Sequence, residues 1–285
     1  MSFRLDRFLT IYLFNSFISK RQLAENKRIS ILMYHSISDD REHGVHPYYK
    51  INTAPAIFAD QMRFLYENNY SVIDLKSVKG CFDKKYELNK KIVVITFDDG
   101  YHDFYTNAFP ILQKYHFTAT VFLPTAFIGN EGIKLRGKAH LTWNQISELA
   151  DSGISFGSHT VTHPELSNLS NKDVEYEIRQ SKKAIEDNLG KAIDTFSYPF
   201  KFPDEKKVFI NDLRKILQKC EYHHGVSTRI GTTSKSDDIY FMKRIPVNTD
   251  DDIPLFKAKL EGGYNWLNKP QYIYKIIKRK LLSSV

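Results

Sequence analysis

Short apolar, β-branched runs alternate along the chain with longer stretches in which apolar residues recur every three or four positions. ISILMYH (Ile29–His35) reads as a strand, and Ala54–Tyr70 as a helix in which Phe58, Met62 and Leu65 share one face. SVIDL follows as a strand. KIVVITF leads into the helical stretch Tyr105–Phe117, with Pro110 a point for a kink, and then into the strand TATVFLP. Thr142–Gly153 predicts a helix closed by Gly153, ISFGS a strand, and Ser170–Gly190 a helix with Ser170 as N-cap and Gly190 as its stop. TFSYPF, a weak run at HHGVST and YFMKRIPV predict further strands. Helical patterns fill Glu205–Tyr222 and Asp252–Gly263.

Strands separated by helices argue for a parallel sheet. Seven or eight such units predict an α/β fold, a distorted (β/α) barrel of about seven or eight parallel strands, with an open doubly wound sheet as the alternative. No internal repeat or low-complexity segment interrupts the alternation. The longest break, residues 36–55, follows the first strand, which in a barrel places it on the face where active sites gather.

Composition narrows the picture little: 42% hydrophobic residues in 285 suffice for a full core. Cys81 and Cys220 lack paired spacing and read as inert buried thiols. The net charge of +8 is concentrated at one end: Lys269, Lys275, Lys278, Arg279 and Lys280 follow Tyr264 with no acid among them, so the body is close to neutral. No basic stripe interleaved with aromatics marks a nucleic-acid surface.

The chemistry sits where strands end. KIVVITF stops at Asp98-Asp99-Gly100, a sequence that would serve as an ordinary turn. Yet a barrel brings its strand ends together, and the other ends carry His35, His159 with His163 four residues on, Tyr198, Pro199 and Arg244. Pro164 and the β-branched Thr160, Val161 and Thr162 place the histidine pair on a turn rather than a helix. Two imidazoles and one carboxylate make a face for a divalent cation with open positions, and a second carboxylate beside it can take a proton from water.

TFDDG followed by SHTVTHP closely resembles the polysaccharide deacetylases with the NodB homology domain, carbohydrate esterase family 4, over about Ile29 to Gly262. The resemblance implies a distorted (β/α) barrel and metal-dependent hydrolysis of an N-acetyl group on an amino sugar. By position, Asp98 resembles the general base, and Asp99, His159 and His163 the ligands of a divalent ion, Zn²⁺ first, with Co²⁺, Ni²⁺ or Fe²⁺ as alternatives. Trp143 resembles the family's active-site tryptophan, or else packs its helix on the barrel. Two departures stand out. Ser197 and Tyr198 occupy the place of the family's arginine, and no late Leu-x-Leu-x-His segment supplies the usual acid. ILMYHSI instead resembles a circularly permuted subgroup acting on poly-N-acetylglucosamine, which makes His35 the candidate acid. Arg244 is a candidate substitute for the missing arginine, although a surface arginine beside a strand is the expected reading. His43, His46, His102, His116, His140, His223 and His224 read as surface or loop residues. Tyr48 and Tyr49 could stack on a sugar ring, or face solvent.

Residues 1–28 form an N-terminal apolar segment, 29–262 the catalytic domain, and 263–285 a basic amphipathic tail. Phe8–Ile18 is short for a spanning helix and lacks a cleavage site after it. The tail places Ile273, Ile276, Ile277 and Leu281 on one face, suited to an anionic membrane surface or to the barrel's exterior. The expected partners are an N-acetylated glycan or glycolipid, no nucleic acid, and peripheral membrane through the ends. A cytoplasmic or membrane-peripheral location is favoured, with export by an atypical signal the alternative. Besides the deacetylase, two further readings fit the motifs: a sugar-binding module that kept the pocket without the chemistry, and an Fe(II) oxygenase using the His₂-carboxylate face.

Overall fold

The computed structural model of the protein describes residues 4–14, 28–82, 91–130, 132–268 and 270. Seven strands form its centre: β1 (Arg28–Tyr34), β2 (Lys91–Phe97), β3 (Thr120–Leu123), β4 (Ser155–Ser158), β5 (Thr195–Ser197), β6 (His224–Ile230) and β7 (Met242–Pro246). Each pairs in parallel with the next, and β7 returns to β1, so the sheet closes into a barrel. Closure settles the choice between barrel and open sheet. Helices α1 (Pro55–Glu67), α2 (Phe109–Lys114), α3 (Trp143–Asp151), α4 (Asn171–Leu189), α5 (Lys207–Lys219) and α6 (Ile253–Leu260) surround the barrel.

The alternation of side chains along each strand divides the core. Leu32 and Tyr34 on β1 and Val93, Ile95 and Phe97 on β2 face outward beneath the helices, where Phe58, Met62 and Leu65 of α1 meet them. Ile29 and Ile31, Val94, Phe122, Val226 and Met242 form a separate buried cluster with Leu75, Val78 and Cys81. The strand residues among them line the N-terminal half of the barrel's interior, and the helical turns at Leu75–Cys81 pack against them. Two residues further along, the same faces of β2 and β7 present Thr96 and Arg244, then Asp98, all buried. The barrel is thus apolar at its base and polar at the mouth where its strands end. β4 reaches that mouth through a tight crossing: a Cβ on Gly157 would lie 2.7 Å from the Phe122 ring.

Caps fix the helices where the sequence places them. The Ser170 hydroxyl accepts from the Asp173 N–H at 3.3 Å, and Gly190 ends α4 with φ 62°. Thr142 and Gln145 form a capping box at the start of α3.

Three local features differ from the sequence reading. The strand expected in SVIDL forms as Tyr70–Val72 and pairs with Lys91–Val93, but lies outside the closed ring because β1 packs directly on β2. The helix expected over residues 105–117 is wound as a π-helix from Phe104 to Ala108, and is α-helical only from Phe109, where Pro110 in the first turn needs no N–H partner. Two-residue pairings, Ser36–Ile37 with Asn52–Thr53 and Thr233–Ser234 with Arg28–Ile29, are too short to leave a periodic signal. Both cysteines are free and buried.

The N-terminal segment winds as a helix from Leu5 to Phe14. Phe14 stacks on Trp266 with ring centroids 5.0 Å apart, and Arg4 pairs with Asp251 at 3.2 Å. The rest of the apolar run after Phe14, and the tail from Tyr272 to Leu282, lie outside the described residues. No helix among the described residues is long and apolar enough to cross a membrane.

Candidate active site

Asp98 and Asp99 leave β2 in different directions because the backbone turns between them. Asp98 continues the strand, its N–H bonded to the Tyr34 carbonyl at 3.0 Å. Asp99 adopts φ 71° and Gly100 φ 59°, where a Cβ on Gly100 would lie 2.8 Å from Leu123 Cδ2. The glycine that follows the aspartates is therefore required by both backbone angle and packing.

Arg244 holds Asp98. Its Nη1 donates to Asp98 Oδ1 at 2.8 Å and its Nη2 to Oδ2 at 2.7 Å, a two-pronged pair. Nε donates to the Ser227 carbonyl at 3.1 Å, and Thr96 and Ser197 hydroxyls accept from the two terminal nitrogens at 3.3 and 3.1 Å. The Ser197 hydroxyl in turn donates to Asp98 Oδ1 at 3.1 Å. Arg244 is 1% exposed, which overturns the expectation of a surface residue. Burial opposes ionisation of Asp98, but Arg244, with His159, holds its carboxyl below the ordinary carboxylate value. Among the described residues Oδ2 accepts only from Arg244, which leaves a lone pair free.

Asp99 faces the histidines. His159 Nε2 and His163 Nε2 lie 3.5 and 3.4 Å from Asp99 Oδ1, an oxygen with no hydrogen-bond donor among the described residues. One ligand atom from each of the three residues lies within 4.8 Å of the others, which suits a single cation. His159 Nδ1 bonds the Ser197 carbonyl at 2.8 Å, fixing which nitrogen points at Asp99. Burial lowers the His159 value, but the adjacent Asp98 and Asp99 charges outweigh it and raise the imidazole above its usual range. Burial and the neighbouring His159 push His163 down to about 4. Burial alone would raise Asp99, but the close approach of His159 and the charges of His35, His159 and His163 overcome it and hold the carboxyl far below its ordinary value.

The loop carrying both histidines is strained at Thr160 (φ 71°) and His163 (φ 55°). Glu177, on α4, secures it: Oε2 accepts from the Val161 and Thr162 N–H groups at 2.8 and 2.9 Å, and Oε1 from the Thr162 hydroxyl at 2.8 Å. The Thr160 hydroxyl accepts from His163 N–H at 3.1 Å. Phe200, at φ 57°, lays its ring 4.6 Å from that of His163. Sequence reading missed Glu177 and Phe200. The first is one acid among several on a polar helix, and the second needs the turn after β5 to reach the site.

The other candidates fall at different distances from this centre. His35, half-buried at the end of β1, lies near enough that Asp99 and Asp98 act on it, although burial holds its pKa below the usual imidazole value. Trp143 opens α3 half-buried beside Gly129. Tyr198 and Pro199 are buried, and the Tyr198 hydroxyl has no partner among the described residues. His140 lies in the loop before α3, as expected, but not at the surface: it is buried between Tyr101 and Phe127, each ring 5.2 Å away, and burial pushes it down to about 4. His224 is likewise buried, in β6. Tyr49 is exposed in the long loop.

Similarities to known proteins agree with this geometry. The polysaccharide deacetylase family profile matches residues 85–224. A Bacillus subtilis protein named as a polysaccharide deacetylase, YxkH, is 32% identical over 235 residues, covering 82% of this chain and 77% of its own. The poly-β-1,6-N-acetyl-D-glucosamine N-deacetylase of Staphylococcus aureus is 25% identical over 205 residues, 68% of this chain and 67% of its own. The solved structure of the Streptococcus pyogenes deacetylase PplD in complex with acetate is similar at a TM-score of 0.70 and 27% identity, over 82% of this chain and 99% of that one. A closed parallel barrel with this mouth, and a relative 32% identical along most of both chains, place the protein in the polysaccharide deacetylase family as a carbohydrate deacetylase.

Proposed function

We propose that the protein is a metal-dependent hydrolase that removes the N-acetyl group from an amino sugar within a glycan or lipid-linked glycan. The observation that carries this reading is the division of labour between adjacent carboxylates: Asp99 faces two imidazoles, and Asp98 is held apart from them by Arg244. A divalent cation held by Asp99, His159 and His163, Zn²⁺ in the first instance, supplies Lewis acidity toward the acetyl carbonyl and the attacking water. The remaining steps belong to the chain. Asp98, ionised and fixed in plane by Arg244, takes a proton from the attacking water through the free lone pair of Oδ2. The water oxygen bonds to the acetyl carbon, the C–N bond breaks, and His35 gives its proton to the leaving nitrogen, yielding acetate and a free amine. Ser197 serves two groups at once, its hydroxyl aligning Asp98 and its carbonyl orienting His159. Arg244 reaches Asp98 from β7 and so supplies the charge for which the segment at Ser197 and Tyr198 has no residue. The permuted assignment of the acid to His35 is supported by its place on the same mouth.

Acetate release from a panel of N-acetylhexosamine polymers and lipid-linked sugars, with metal stripped and then restored, tests the reading. Release that stops on stripping and returns with Zn²⁺ is expected. Glycan binding without release after restoration would favour a binding module, and turnover that requires dioxygen would favour an oxygenase.

A further inference from the structure

Nothing among the described residues hydrogen-bonds the imidazole of His35, whereas His159 Nδ1 is tied to the Ser197 carbonyl at 2.8 Å. The placement of the candidate acid is therefore set by its main chain. On the near side Tyr34 is fixed within β1: its carbonyl accepts from the Asp98 N–H at 3.0 Å, and its hydroxyl donates to Gln61 Oε1 at 2.8 Å. On the far side the chain leaves the closed ring, and Ser36–Ile37 pair with just two residues, Asn52–Thr53.

Asp103 holds that far side. Oδ2 accepts from the Ser36 hydroxyl at 2.5 Å and Oδ1 from the Ile37 N–H at 3.0 Å, so one carboxylate fixes both residues that follow His35. Asn107 adds a bond to the Ile37 carbonyl, to which its amide donates at 2.7 Å. Burial pushes the Asp103 carboxyl up from its ordinary value, against the pull of these donors and of Lys138. Lys138 ties the arrangement off. Its side chain is 17% exposed, and the ammonium donates to Ser38 Oγ at 3.1 Å and Asp40 Oδ2 at 2.5 Å while lying 4.0 Å from Asp103 Oδ2. The loop that carries it is pinned to the turn after Asp99: the His102 N–H donates to the Ala139 carbonyl and the Leu141 N–H to the Gly100 carbonyl, both at 2.9 Å. Three segments remote in sequence thus meet on two opposite charges, directly after the candidate acid.

We propose that Asp103 and Lys138 are positioning residues for His35: together they fix the chain that carries the imidazole at the mouth, through bonds to Ser36, Ile37, Ser38 and Asp40 rather than to the imidazole itself. The proposal rests on the deacetylase reading above, with His35 as the acid. Proton transfer needs donor and acceptor at hydrogen-bond distance, and a displacement of about 1 Å can cost roughly 10²-fold in rate, so an acid without a partner of its own depends on the frame around it. Asp103→Ala removes both acceptors. Asp103→Asn keeps the frame, because its carbonyl oxygen can accept from the Ile37 N–H while its amide donates to the Ser36 hydroxyl. Lys138→Met keeps the length of the stem and removes the donor to Ser38 and Asp40.

The test compares these variants, metal-loaded, by acetate release from a β-1,6-linked N-acetylglucosamine oligomer, alone and in the His35→Ala background. Asp103→Ala should lower kcat about 10–100-fold with KM changed less than about twofold, Asp103→Asn should recover most of the loss, and Lys138→Met should fall between. In the His35→Ala background all three should lose their effect, because a residue that acts through His35 has nothing left to position. A second readout needs no turnover: imidazole labelling by diethyl pyrocarbonate, followed peptide by peptide in mass spectrometry. In Asp103→Ala and Lys138→Met it should quicken about tenfold at His35, the scale of one lost hydrogen bond to a charged group, and stay constant at His223, exposed at the opposite end of the barrel. An Asp103→Ala loss undiminished in His35→Ala, an Asp103→Asn variant as slow as Asp103→Ala, or His35 labelling unchanged relative to His223 would overturn the positioning role. If Asp103→Ala does not fold, Lys138→Met decides by kcat in the two backgrounds and by the labelling. Acetate release from no substrate by the unaltered protein would instead count against the deacetylase reading, and the labelling pattern would then decide whether Asp103 and Lys138 hold His35.

Discussion

Asp98 and Asp99 are neighbours in the chain with opposite surroundings, and substitution should separate them. Asp99→Asn removes the carboxylate that lies against both His159 Nε2 and His163 Nε2, so metal content and acetate release should both be lost. Asp98→Asn leaves the three candidate ligands intact, so metal content should persist while release falls. Removing one partner of a buried pair costs about 3–5 kcal/mol, so that variant is to be measured below its lowered melting temperature. Equal metal loss by elemental analysis would mean that base and ligand are exchanged. His35 adds a pH signature. If it protonates the leaving amine, activity declines as pH rises through its pKa, which burial holds below the ordinary imidazole value of about 6.5. His35→Ala should remove that alkaline limb and lower turnover by roughly 10²–10⁴-fold, with metal content unchanged. The aspartates and histidines of this centre were legible because their spacing is itself a motif. Arg244 was harder to read: it lies two residues from Met242, which faces the barrel's interior, but the sequence alone does not say which face of β7 points inward.

Elements were legible where a periodic run has clear ends. α4 starts after Ser170 and stops at Gly190 as the caps require, and β2 runs from Lys91 to Phe97 as its β-branched run predicts. The illegible part is how one element serves another. Glu177 lies in a stretch that also holds Asp173 and Glu175, and nothing in that spacing marks it as the residue that closes the Ser158–Pro164 turn. Its three accepted hydrogen bonds hold two backbone amides between His159 and His163, so the loop's strained conformation depends on a helix that carries no ligand. Glu177→Ala should weaken metal affinity about 10–100-fold, the range for residues that orient ligands. Glu177→Gln keeps one acceptor but turns an NH₂ toward the amides, and should fall between the two. Competition titration with a metal indicator distinguishes this from general unfolding, which circular dichroism would report. An unaltered affinity in Glu177→Ala would show that the hydroxyls of Ser158 and Thr160 hold the turn by themselves.

For the whole molecule, the alternation of strand and helix predicted a parallel sheet and favoured a barrel over an open sheet, but did not show that β1 would close on β2 and leave Tyr70–Val72 outside, since closure depends on strand tilt and packing rather than on local pattern. The closed barrel gathers its titratable groups in one buried polar mouth, and this makes the fold itself sensitive to pH. Burial holds His163 and His140 at about 4 and shifts His35 in the same direction. An unfolded histidine titrates near 6.5, so between about 4 and 6.5 the unfolded chain binds more protons at these sites than the folded one. Their contribution is complete above about pH 6.5 and is lost as pH falls toward 4. His159 is raised, so its contribution is present at low pH and lost as pH rises through its folded value, which opposes the other three. The depressed carboxyls of Asp98 and Asp99 contribute above about pH 3.9, below the window in question. Three groups against one predict that the urea midpoint of the metal-free protein falls steadily from pH 7 to pH 5. His140→Phe, which replaces an imidazole by an apolar ring between Tyr101 and Phe127, should make that fall shallower by about one proton's worth of slope. Cation binding requires His159 and His163 to be neutral, so added Zn²⁺ should raise the midpoint more at pH 7 than at pH 5. A midpoint independent of pH across this range, or a His140→Phe variant with an unchanged slope, would show that these imidazoles are already protonated in the folded state.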